Sequence, residues 1–349
     1  VSQRYKEYLK ERLRILLKKE VLLQKIGFIR GGSGNIINVI ILFIAGMSIV
    51  AGNMTIGMLV SFCSYMEKFF EALSKIMELN LNKQEVVVSY ERMNEILNSE
   101  KEENNGIILK EPIQKIQFRQ VIFGYKDNLV LKKIDLSIEN PGLYSLVGSN
   151  GCGKSTIFKL LERFYECKVG KIEINQVPIN KYSASDLRNN IVYMPKKPFF
   201  LQGTIMDNLK LGQNEISDLE VIEVCKKVGI HSDIQKLEKG YYELIESGGE
   251  NFSSGQKQKL GFVRVLLKKA DIVLLDEVTS DLDGEAERQI CNQIEEIAKK
   301  AIVLNIAHKP ESIRRSKKVF FIQGGKIVAE GTHKALMKNC VDYKKIFAN

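Results

Sequence analysis

GSNGCGKST, residues 148–156, forms a strand-to-helix turn of the kind that holds phosphate. It matches G-x-x-x-x-G-K-[ST] through Gly148, Gly153, Lys154 and Ser155, follows the apolar run LYSLV and opens a helical segment. Glycines let backbone N–H groups curl around phosphate oxygens, and the start of the helix adds its dipole. Lys154 then reaches the β and γ phosphates, the Ser155 hydroxyl ligates Mg²⁺, and Ser149, Asn150, Gly151, Cys152, Gly153 and Thr156 complete the cradle. Cys152 occupies a variable position of the pattern, so its thiol is assigned no chemistry.

Further along, DIVLLDE at residues 271–277 has four apolar residues, Ile272 to Leu275, that form a buried central strand ending in two carboxylates. Ligands of such sheets bind beyond the carboxyl ends of the strands. Asp276 is therefore placed to hold Mg²⁺, directly or through water, and Glu277 to orient and deprotonate an attacking water. An apolar run ending in Asp-Glu carries little by itself. Its pairing with the phosphate loop is what makes it specific.

The surrounding runs IQFRQVIFGY, GLYSLVG, KIEINQV, NIVYMP, AIVLNIAH and VFFIQGGKIVAEG are short and β-branched, and helical segments separate them. That alternation predicts an α/β layer architecture with a mostly parallel sheet over residues 115–349. A polar linker, NSEKEENNGIILKEPIQ at 98–114, precedes it. Hydrophobic residues make up 44% of the chain and charged ones 27%, which excludes a disordered or low-complexity protein.

The net charge of +10 is unevenly spread: residues 1–30 hold nine Lys and Arg against three Glu, so +6 lies there. A general nucleic-acid footprint is excluded on that distribution. The six cysteines are widely spaced with no CxxC or Cys/His pairing, which predicts free thiols and no structural metal. From Gly31 to Met66 there is no Asp, Glu, Lys or Arg. Such a stretch is long enough to cross a hydrocarbon core of about 30 Å. The two glycines of GNMTIG, 52–57, divide it into a hairpin with helices at about 28–51 and 57–79 and cytoplasmic extensions within residues 1–97. Flanking Lys and Arg place both ends in the cytoplasm, and two such helices need further helices around them. Glu67, Lys68 and Glu71 either line a polar cavity or lie beyond the bilayer.

SGGENFSSGQKQKLGFVRVLL, residues 247–267, brings these features together, and here the chain resembles the ATP-binding cassette (ABC) family. The resemblance is to exporter half-transporters of type I. It implies an all-α transmembrane segment, the last two helices of a six-helix membrane domain, ahead of an α/β P-loop NTPase. It also implies ATP and Mg²⁺ as cofactors, ATPase activity coupled to export, and a second half-transporter, membrane lipid and a transported substrate as partners, with no nucleic acid. The location implied is a bacterial plasma membrane, with the nucleotide-binding domain in the cytoplasm. Tyr125 matches the aromatic that stacks on adenine. Residues Ser253, Gly255 and Gln256 match the signature loop, in which Ser254 also lies and which faces the γ-phosphate held by the other subunit, and Asp283 in SDLD, 280–283, ends the loop that crosses the dimer interface. His308 matches the switch histidine that bonds the γ-phosphate and helps hold Glu277, so Glu277, His308 and Lys154 are the expected catalytic set. His231 and His333 match nothing and are expected at the surface.

Three residues depart from the family pattern. Ser254 stands where the signature has glycine and puts a Cβ near phosphate, Asp281 replaces a small residue, and Lys196 replaces a glutamine. A glutamine oxygen can ligate Mg²⁺, whereas an ammonium only donates, so Lys196 is expected either to contact a γ-phosphate oxygen or to swing outward and weaken coupling to the membrane. A homodimer tolerating Ser254 and a heterodimer with one altered site both stay open. A soluble cassette ATPase acting on nucleic acid or ribosomes is opposed by the hairpin and the charge distribution. A poorly hydrolytic regulatory subunit is opposed by Asp276, Glu277 and His308.

Overall fold

The computed structural model describes residues 12–18, 20–22, 24–25, 39–98, 102, 106–126, 128–211, 213 and 215–347, and the chain divides into two compact units, Val1–Glu100 and Lys101–Asn349. In the first unit, residues 12–18, 20–22, 24–25 and 39–50 are helical, and α1 is Ile56–Leu97. Thr55 caps α1 by accepting the Met58 N–H at 3.3 Å. At 1.5 Å per residue its 42 residues extend about 63 Å. The helix expected at 57–79 thus continues without a break through the region of its expected extension to Leu97.

Among the described residues no helix is long and apolar enough to cross a membrane. The uncharged opening of α1 runs only from Ile56 to Met66 before Glu67, Lys68 and Glu71 interrupt it, and Lys75 pairs with Glu71 at 2.6 Å one turn on. Of the first expected helix, residues 28–38 lie outside the described residues and 39–50 are helical. Val39, Phe43, Val50, Ile56 and Phe69 nevertheless expose most of their apolar surface.

The second unit is built on two sheets. The antiparallel one has the order β2-β1-β4-β5, with β1 Lys115–Tyr125, β2 Asn128–Glu139, β4 Val169–Ile174 and β5 Val177–Pro178. A six-stranded sheet has the order β12-β11-β3-β10-β9-β6, where β3 is Gly142–Gly148, β6 Ile191–Met194, β9 Ile272–Asp276, β10 Ile302–Ile306, β11 Lys318–Gln323 and β12 Lys326–Gly331. All its pairings are parallel except β11 with β12. The expectation of one mostly parallel sheet is therefore too simple, because IQFRQVIFGY and KIEINQV pair antiparallel with each other in a sheet of their own.

Strand alternation builds a separate core on each face of the large sheet. Ile272, Leu274, Ile302, Leu304 and Leu146 face the first core, with Phe158 and Leu161 of α2 (Lys154–Leu161) and Ile116 and Phe118 of β1. Val273, Leu275 and Val303 face the second core, with Val221 of α3 (Asp218–Val228), Phe262 and Val263 of α4 (Ser254–Lys268), and Ile290 of α5 (Gly284–Ala298). Each such side chain, fully buried, contributes about 1.5–3 kcal/mol. The central strands are held from both sides, and their carboxyl ends form a firm edge for a site.

Two buried titratable groups belong to this core. Glu162, at the end of α2, is 9% exposed, its Oε2 has no hydrogen-bond partner, and burial pushes its carboxyl up to about 7 against the pull of Lys268 and Arg188. An unfolded glutamate ionises near 4.3. The folded chain therefore carries no penalty below that pH, an increasing one between there and 7, and all of it above. Glu162→Gln should raise stability at pH 8 by about 3–4 kcal/mol and hardly change it at pH 4, as thermal melting at the two pH values would report. His333, expected at the surface, is 8% exposed and shares a 2.9 Å hydrogen bond with Tyr343. Burial, aided by Arg314, pushes its imidazole below the ordinary range. His231 is half-buried and bonds Tyr241 at 2.8 Å, so neither histidine is a free surface group.

Candidate active site

β3, β10 and β9 lie side by side and in register, Ile306 opposite both Leu146 and Asp276, so the segments following all three strands leave the same edge. β3 runs into the phosphate loop, β9 into Asp276 and Glu277, and β10 toward His308. Parallel pairing is thus what gathers residues far apart in the chain.

The loop from Gly148 to Gly153 is shaped by its glycines. A Cβ on Gly148 would lie 2.2 Å from the Ile322 carbonyl oxygen, and one on Gly153, whose φ is 105°, would lie 2.4 Å from Leu131 Cδ2. Gly153 also starts α2 with no side-chain cap, which leaves the first N–H groups of that helix for an anion. Lys154 is 7% exposed and its ammonium donates to the Gly148 and Ser149 carbonyls at 2.7 and 3.0 Å. Burial pushes the Cys152 thiol up, keeping it neutral beside that charge.

Ser155 Oγ donates to Asp276 Oδ2 at 2.8 Å, and Tyr193 donates to the same oxygen at 3.4 Å. Hydroxyl and carboxylate form a hard-oxygen pair suited to Mg²⁺. Among the described residues no group of three or more His, Cys, Asp or Glu side chains could hold a metal. Mg²⁺ is commonly held by one or two carboxylates together with substrate phosphates.

Glu277 has φ of 53°, a left-handed conformation costing a non-glycine residue about 1–3 kcal/mol, and its N–H is held by the Ile306 carbonyl at 3.0 Å. Its Oε1 meets His308 Nε2 at 3.0 Å and its Oε2 meets Lys196 Nζ at 2.5 Å. Burial pushes the carboxyl up, but the Lys196 bond and charge with His308 and Lys154 outweigh it and hold Glu277 below the usual carboxylate range. The same hydrogen bond raises Lys196. Lys196 has thus not swung outward in this arrangement.

The signature segment opens α4. Ser253 caps α4, accepting the Gln256 N–H at 3.2 Å, while Gln256 Oε1 accepts the Ser253 N–H at 3.0 Å. Ser254 is exposed, and Gly255 lies below the Asp281 carbonyl. Gln258, which the sequence did not single out, is 1% exposed and bonds Ser280 Oγ and the Asp281 N–H, tying the signature helix to SDLD. Asp283 caps α5, accepting the Ala286 N–H at 2.8 Å. Tyr125 hydrogen-bonds Thr156 at 3.5 Å and packs edge-on against Phe123 and Tyr165. Tyr165 and Tyr193 carried no signal in their own neighbourhoods; Tyr165 packs on Tyr125, about 40 positions earlier, and Tyr193 bonds Asp276 across 83 positions.

Residues 131–280 match the family described as ABC transporter. The chain is 38% identical over 235 residues to ABC multidrug transporter MDR2 of Trichophyton rubrum, covering 66% of this chain and 17% of that protein. It is 30% identical to an ATP-dependent lipid A-core flippase of Syntrophus aciditrophicus, covering 88% of this chain and 51% of the flippase. A putative export ATP-binding/permease protein of Rickettsia typhi is 33% identical, with 88% and 54% covered. Among solved structures, a bacterial Atm1-family ABC exporter with ATP bound superposes with a TM-score of 0.72 at 27% identity, over 85% of this chain and 53% of that one. The chain spans about half the length of the two bacterial relatives.

Proposed function

The chain belongs to the ABC transporter family, and from that premise we propose that it is the ATP-hydrolysing part of a membrane exporter subunit, working with a second such subunit, identical or not. The observation that carries this reading is the meeting of the phosphate loop, Ser155 with Asp276, and Glu277 with His308 at one sheet edge. Lys154 and the open N–H groups at the start of α2 bind the phosphate chain, Tyr125 offers its face to the base, and Ser155 and Asp276 would hold Mg²⁺. That ion would supply positive charge to the phosphates. Glu277 takes the proton of the attacking water, and His308 keeps the carboxylate aimed.

In this reading, Ser253, Ser254, Gly255 and Gln256 face the nucleotide of the partner subunit, with SDLD at the same interface. Closure on ATP would favour one membrane conformation and hydrolysis the other, work that requires only a difference in nucleotide affinity between the two states. The exposed apolar side chains of residues 39–50 and α1 support a place in a membrane, surrounded by further helices and lipid. A peptide, lipid or hydrophobic small molecule is the cargo proposed, in keeping with relatives named a multidrug transporter and a lipid A-core flippase.

The 349-residue chain should bind a fluorescent ATP analogue with Mg²⁺ at micromolar to millimolar dissociation constants, roughly the range of enzyme substrates. Chelating Mg²⁺ should weaken ATP binding. No saturable binding up to several millimolar would remove the proposal.

A further inference from the structure

Glu277 has both carboxylate oxygens engaged, one by His308 and the other by Lys196, which lies 81 positions earlier in the chain, just after Pro195 at the end of β6. Each oxygen keeps a further lone-pair site for water, but a direct bond from an ammonium favours the ionised carboxylate and makes it a poorer acceptor of the water's proton. The two contacts differ in kind. Imidazole can orient the base and remain, whereas the ammonium is a full positive charge that competes with the water's proton for the same oxygen.

The Lys196 contact is also the one able to move. Its side chain is 53% exposed against 17% for Glu277, and its flexible four-carbon stem makes a single point contact. An ion pair this open to solvent holds weakly. A terminal phosphate presents more negative charge and several acceptor oxygens, and charge-assisted bonds to phosphate are among the stronger ones. Asp276 and Asp281 also lie near enough to act on the ammonium and keep it in the site.

We propose that Lys196 is a positioning residue that tells a nucleoside triphosphate from a diphosphate: it occupies Glu277 until a terminal phosphate takes its ammonium, which frees the carboxylate to act. This rests on the ATP-hydrolysing reading given above. A diphosphate, with no third phosphoryl group to offer, leaves Lys196 on Glu277.

The test is a binding cycle, so that turnover is not the readout. Dissociation constants for adenylyl imidodiphosphate and for ADP, both with Mg²⁺, are measured on the 349-residue chain as wild type, Lys196→Gln, Glu277→Gln and the double variant. Glu277→Gln releases the ammonium to the phosphate. It should therefore raise the preference for the triphosphate analogue about tenfold more when Lys196 is present than when it is glutamine, a coupling of about 1.4 kcal/mol. Lys196→Arg keeps a cation at the position and should retain the coupling within about threefold. If Glu277→Gln raises the preference by the same factor with or without Lys196, the pair is an ordinary surface ion pair and the inference falls while ATP binding stands. If none of the chains binds either nucleotide, the ATP reading falls and takes the inference with it.

Discussion

Lys154→Ala should abolish ATP turnover and weaken nucleotide binding at least 100-fold. The ammonium is 7% exposed and rests on two loop carbonyls, at the point where the loop turns into α2. Hydrogen bonds to charged groups contribute about 1.5–3 kcal/mol each, so losing two from the phosphate chain corresponds to two or more factors of ten in affinity. Alanine is a good helix former at this position, and the loop glycines are untouched, so the fold should survive. Fluorescent-nucleotide titration beside a melting curve separates the two effects. Near-native affinity in a folded variant would show that Lys154 does not face phosphate.

Glu277→Gln should retain ATP binding while turnover falls about 10²- to 10⁴-fold, the usual contribution of a general base. The amide keeps the size of the carboxylate, so the left-handed turn at this residue and the Ile306 carbonyl that holds it are undisturbed. What it loses is the ability to take a proton and the charge that pairs with Lys196. Single-turnover measurement, which excludes product release, is the direct check. Hydrolysis at the wild-type rate would remove Glu277 from its assigned role and leave Asp276 or His308 to be examined in its place.

Much of this site was legible in the sequence because its signals are local. GSNGCGKST needs only nearest neighbours to set a turn, and a continuous apolar run ending in Asp276 and Glu277 specifies a buried strand whatever surrounds it. β2 was not legible in the same way. NLVLKKIDLSIE mixes lysines and an aspartate with its apolar residues, since only part of it faces the core, and pairing with β1 supplies the rest of its stability. In α1 the start was legible and the end was not: the helix expected at 57–79, which already took in Glu67, Lys68 and Glu71, runs on without a break to Leu97.

The sequence by itself determined the phosphate loop, the carboxylate-ending strand, the alternation of strands and helices and the free cysteines, because each depends on residue type at short spacing. Only the tertiary structure decided that Ser155 lies on Asp276 across 121 positions, that Lys196 lies on Glu277 across 81, that Gln258 ties the signature helix to SDLD, and that Glu162 and His333 are buried. Parallel strands must be joined by long crossovers, so neighbours at their carboxyl ends are remote in the chain. No local pattern records which of those remote side chains will meet.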